Sequence, residues 1–122
     1  MASPRQQLGA LAEERATQLL QQAGCVIVAR NFRCRLGELD IVARRGSVLI
    51  VAEVRLRTHS NFADAAGSVT YAKRVRIVRA TRFLLTRRPH LATLNVRFDA
   101  LLLSAADGPI DWIEGAFDWE PG

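Results

Sequence analysis

The stretch GELDIVARRGSVLIVAEVRLR, residues 37–57, limits the fold more than any other part of the chain. Two runs rich in Val, Ile and Leu, residues 37–44 and 48–57, flank a short polar link, Arg45-Gly46 with Ser47 behind it. Such a pattern predicts a β-hairpin. Before it, residues 8–23 carry Leu8, Leu11, Ala12, Ala16, Leu19 and Leu20 at helical spacing, and Gly24 stands where a left-handed cap would end that helix. Residues 25–29 (CVIVA) predict a short strand, and residues 30–36 read as a polar turn. After a small-residue loop at 58–70, residues 71–87 predict a second helix that Pro89 stops. Residues 94–103 and 110–114 predict two further strands. The order α-β-β-β-α-β-β suggests an α/β domain with a mixed central sheet flanked by helices. At 122 residues it should be one domain, with loose ends near 1–6 and 118–122.

Charge narrows the partner. Seventeen basic residues stand against twelve acidic ones, a net charge of +5, which favours a polyanion. No window has the length of apolar residues that a membrane span needs. Cys25 and Cys34 make no disulfide framework, so the expected setting is the cytoplasm, with free thiols. All basic residues but Lys73 are arginines, as a genome favouring Arg codons would give.

Strand parity brings two carboxylates together. Leu49, Val51, Glu53 and Arg55 share one face of the second hairpin strand, and Glu38, Asp40 and Val42 share one face of the first. A two-residue loop at Arg45-Gly46 sets Asp40 diagonal to Glu53, and a four-residue loop sets it directly opposite. In both registers the carboxylates are about 5–8 Å apart at Cβ on one face. An odd-length loop or a bulge would break this. Two carboxylates beside apolar neighbours call for a cation, and hard oxygens suit Mg2+ or Mn2+. Arg55 points the same way and would meet a phosphate. The competing reading is a solvated sheet face with cross-strand ion pairs.

The second helix carries Lys73, Arg74, Arg76 and Arg79 among its cations, a composition that tracks a phosphate backbone or simply lines a wet surface. Lys73 falls in one row with Ile77, Ala80 and Leu84, so its amine would snorkel toward the carboxylates. Glu13 in the first helix is a third acidic candidate or an ordinary surface charge. His59 and His90 are isolated, and no zinc spacing, phosphate-cradling loop or nucleophile elbow is present.

The order and spacing of several segments resemble the YraN-like family of small bacterial proteins, commonly described as endonuclease-like. The matching residues run from Gly9 to Phe117. They include Glu13, Asn31-Phe32-Arg33, Gly37-Glu38-Leu39-Asp40, Glu53-Val54-Arg55-Leu56-Arg57, Lys73, Arg97-Phe98-Asp99 and Ala116-Phe117. The resemblance implies a restriction-endonuclease-like fold and a metal-dependent nuclease signature: an Asp, then Asp or Glu, any residue, and Lys. By position Asp40 is the first carboxylate, Glu53 the second, and Glu13 the added acid of the first helix. Arg55 stands where Lys belongs. Arginine stays protonated and cannot be the general base, although it stabilises phosphate charge. Three outcomes stay open: Arg55 suffices beside a metal-activated water, Lys73 supplies the amine, or only binding persists.

The expectation is a DNA endonuclease, on branched or damaged DNA among other substrates. Asp40 and Glu53 hold Mg2+ or Mn2+, Glu13 assists through water, and Arg55 contacts the scissile phosphate. Arg57, Arg74, Arg76 and Arg79 follow the backbone. The alternatives are a catalytically decayed nucleic-acid-binding module and a scaffold that forms a homodimer through a sheet edge or the basic helix.

Overall fold

Ser3 caps the first helix. Its hydroxyl accepts from the Gln6 backbone N–H, the Gln6 side chain accepts from the Ser3 N–H, and Pro4 takes the first helical position. This capping box starts helix α1 (Pro4–Gln22) four residues ahead of Leu8, where the apolar spacing begins. The computed structural model describes residues 3–56 and 69–119. Strands β1 (Val26–Cys34), β2 (Gly37–Arg45) and β3 (Val48–Leu56) follow α1. Helix α2 (Tyr71–Arg87) and a 3-10 turn (Pro89–Thr93) lead to β4 (Asn95–Leu103) and β5 (Ile110–Phe117).

The five strands form one sheet in the order β1-β2-β3-β4-β5. Every neighbouring pair is antiparallel except β3 and β4, which run parallel. Parallel neighbours need a crossover, and α2 lies within it. The architecture is the expected mixed α/β sheet with flanking helices, as in a restriction-endonuclease-like core.

Each face has its own core. Ile77, Ala80 and Leu84 of α2 pack with Val42, Val51 and Phe98 on one side. Ala16 and Leu20 of α1 pack with Ile41, Ala43, Ile50 and Leu101 on the other. Strand β3 is covered on both faces, which explains its unbroken apolar run VLIVA; Leu49 through Glu53 are all buried. The solvated-face reading of this strand is therefore wrong.

Two strands run further than their sequence patterns predict. Residues 30–34, read as a turn, continue β1 to Cys34. This is an edge strand, where polar side chains face water, and a bulge falls between Ile27 and Ala29. Strand β5 extends past Glu114 to Phe117, whose ring stacks on Phe98 with centroids 4.9 Å apart. Trp119 packs edge-on against Phe98 at 5.1 Å, which holds the chain in place beyond the strand.

Candidate metal and nucleic-acid site

The hairpin register decides where the carboxylates meet. Arg45 pairs with Val48 around Gly46-Ser47, and Gly46 has a φ of 60°, the left-handed conformation that tight turns use. The two-residue turn thus sits one residue later than Arg45-Gly46. The ladder runs back to Ile41 opposite Ala52, and the next position in that register sets Asp40 opposite Glu53.

There the carboxylates replace the backbone ladder. The Asp40 N–H donates to Glu53 Oε2 at 3.3 Å, and the Val54 N–H donates to Asp40 Oδ2 at 2.9 Å. Side-chain alternation also breaks here. Leu39 belongs to the α2-side core and Ile41 to the α1-side core, with Asp40 between them. Across from this break β1 is irregular as well: Asn31 has a φ of 51°, an uncommon conformation for a non-glycine residue.

Glu53 is fully buried and Asp40 half-buried. Burial first, then the Asp40 charge, raises the Glu53 pKa to about 8. Burial likewise raises the pKa of Asp40. Glu53 Oε1 is buried with no hydrogen-bond partner. Among the described residues, the cation paired with it is Lys73, whose Nζ is 3.7 Å from that oxygen. Thr70 caps α2 and sets Lys73 one turn in, above the row of Ile77, Ala80 and Leu84 that faces the sheet. The snorkelling inferred from the sequence is the observed geometry.

Glu13 approaches from α1. Burial, then Asp40, raises its pKa, while Arg30 and a hydrogen bond with Asn31 oppose the shift. Glu13 Oε1 is also buried without a hydrogen-bond partner. Among the described residues, no three His, Cys, Asp or Glu side chains form a metal cluster. The donor set is therefore two hard carboxylates with an unbonded buried oxygen. That suits Mg2+ or Mn2+, which keep waters and take substrate oxygens for their remaining positions.

The arginines diverge. Arg55 is half-buried two residues beyond Glu53, on the face opposite Val54, which packs in the α1-side core. Arg74 is held by the protein: its Nε donates to the Val69 carbonyl at 2.8 Å and its guanidinium lies 5.4 Å over the Phe117 ring. Arg76 and Arg79 are exposed. Arg57 lies outside the described residues.

Asp99 is the buried carboxylate that pattern reading did not single out for a role. It is fully buried, accepts from both Arg97 Nε and a terminal Arg97 nitrogen at 2.9 Å, and takes Trp112 Nε1 at 2.8 Å and the Gly115 N–H at 3.0 Å. These satisfied bonds tie β4 to β5. Only the spacing Arg97-x-Asp99 hinted at this pairing. Among the described residues no helix is long and apolar enough to cross a membrane.

Comparison with known proteins agrees with the sequence resemblance. The model of the Uncharacterised protein family UPF0102 matches residues 12–103. A UPF0102 protein of Nitrosospira multiformis is 46% identical over 112 residues, covering 90% of this chain and 92% of that one. One from Methylobacillus flagellatus is 42% identical over 112 residues, covering 91% and 96%. One from Legionella pneumophila is 35% identical over 113 residues, covering 93% and 96%. On family model, identity and coverage together, the chain belongs to the UPF0102 family, the YraN-like group.

Proposed function

We propose that this protein is a metal-dependent endonuclease that hydrolyses DNA phosphodiester bonds. One observation carries the reading: beside Asp40, Glu53 presents a buried carboxylate oxygen with no hydrogen bond and, among the described residues, only the Lys73 ammonium near it, 3.7 Å away. A buried charge with so little compensation is costly, and a divalent cation would supply what the pocket lacks. Asp40 and Glu53 would hold Mg2+ or Mn2+, and Glu13 would bond a water of that ion. The bound ion would acidify a water and withdraw charge from the phosphoryl oxygens.

The chain's own residues do the rest. Lys73 provides the amine that position 55 lacks and orients the attacking water against Glu53. Arg55 meets the scissile phosphate as a fixed charge that cannot lose its proton. Arg57, Arg76 and Arg79 follow the backbone, while Arg74 braces α2 against β5. In this reading hydrolysis is a single displacement by water, with no covalent intermediate on a side chain.

The test is incubation of the native protein with branched, nicked and single-stranded DNA in Mn2+. Cleavage that Asp40→Asn and Glu53→Gln abolish is the expected result. No cutting at high protein concentration defeats the enzyme reading. Salt-sensitive DNA binding that persists in both variants would then favour a binding module with a decayed site, the reading that Arg55 at the lysine position supports.

A further inference from the structure

A groove between α2 and the β1–β2 turn has chemistry of its own. It encloses about 330 Å³ and its lining includes Arg33, Gly37, Glu38, Lys73, Arg76 and Ile77. Three cations therefore face one carboxylate. Helix α2 has no acidic residue to balance its own cations. Gly37 holds the wall close to the helix: a Cβ there would lie 2.9 Å from the Arg76 carbonyl oxygen. Lys73 is common to the groove and to the carboxylate pair, so the groove lies on the Lys73 side of Glu53.

We propose that this groove is a phosphate subsite for one strand of nucleic acid. It takes a backbone phosphodiester next to the one presented to Asp40 and Glu53, and to that extent rests on the nuclease reading. The volume is at the low end for ligand pockets, enough for one phosphodiester of a strand with its flanking sugars. Arg33 and Arg76 are the gripping groups, both exposed and able to reach a strand. Glu38 is the discriminating group. Its Oε2 sits 3.3 Å from Arg33 Nε in an exposed pair, a weak contact that a phosphate displaces. Its charge then opposes any anion that does not bind both arginines.

The experiment is fluorescence anisotropy of a short labelled single-stranded oligonucleotide with the full-length protein, without metal, over a KCl series. The doubly substituted protein carrying Arg33→Ala and Arg76→Ala should bind about tenfold or more weakly, and its log-affinity against log-salt slope should be shallower by about 1.4, or 0.7 per lost contact. Glu38→Gln should bind the strand more tightly. Arg44→Ala, at the other end of β2, is the control and should match the native protein. Native affinity and slope in the double variant would overturn the subsite. Full competition by millimolar inorganic phosphate would mark a free-anion site and overturn the strand assignment. Because no hydrolysis enters the readout, the two readings fail separately. Cleavage with unaltered binding in the double variant removes only the subsite. Arginine-dependent binding without cleavage removes only the nuclease.

Discussion

Lys73 Nζ lies 3.7 Å from Glu53 Oε1, so helix α2 delivers its ammonium to the one oxygen of Glu53 that has no hydrogen bond. The contact joins an element above the sheet to a carboxylate at the end of its hairpin. On the proposed nuclease reading, Lys73 takes the place that Arg55 cannot fill as a proton-exchanging group.

Replacing Lys73 should therefore separate binding from turnover. Lys73→Met removes a cation that repels Mn2+, so the metal should bind several-fold more tightly. Cleavage should fall by about 100-fold, the usual scale for loss of a proton-handling group. Metal titration and single-turnover cleavage on the same preparation check both halves. Tighter metal binding with unchanged cleavage would leave Lys73 no part in the chemistry.

Stability should depend on pH through Glu53. Its pKa is raised from an ordinary 4.5 to about 8 by burial and then by Asp40. Between those values the folded protein keeps a proton that the unfolded chain has lost. Metal-free stability should thus fall as pH rises from about 4.5 through about 8. A loss of more than about 10 °C in Tm is expected across this window. Glu53→Gln should flatten the profile, as thermal scans from acid to mildly alkaline pH will reveal.

Gly37→Ala should loosen the β1–β2 turn from α2. The added Cβ would meet the Arg76 carbonyl at 2.9 Å, a backbone atom that cannot swing away, at a φ of 157°. A loss of about 1–3 kcal/mol is expected from urea unfolding, since helix and strand must separate to fit it.

Asp99→Ala should cost more, about 3–5 kcal/mol, because Arg97, Trp112 and the Gly115 N–H lose their shared acceptor inside the fold. Where the variant stays folded at low temperature, Mn2+ binding should be native-like. Selective loss of metal binding in a folded Asp99→Ala protein would place Asp99 in the site instead.

Local pattern and tertiary context divided the legible from the illegible. The row of Lys73, Ile77, Ala80 and Leu84 follows from helical spacing alone, and so does the side of α2 that meets the sheet. Parity brought Asp40 and Glu53 together but left two registers open; the turn at Gly46-Ser47 selects direct opposition. The second half of strand β1, residues 30–34, is not legible because it is polar and its backbone is irregular, as an exposed edge allows. Glu53 looked like one wet face of a two-sided strand until both helices were placed. The attachment of Arg74 to Phe117, and of Asp99 to Trp112 and the Gly115 N–H, depends on contacts distant in sequence that no local window contains.

Calorimetric titration of the metal-free protein with Mn2+ near pH 8, alongside Glu53→Gln, is the most direct test of the carboxylate site. Saturable binding that releases protons in the native protein and disappears in Glu53→Gln is the expected outcome. Heats of simple dilution for the native protein, or the same binding isotherm for both, would contradict a metal held between Asp40 and Glu53.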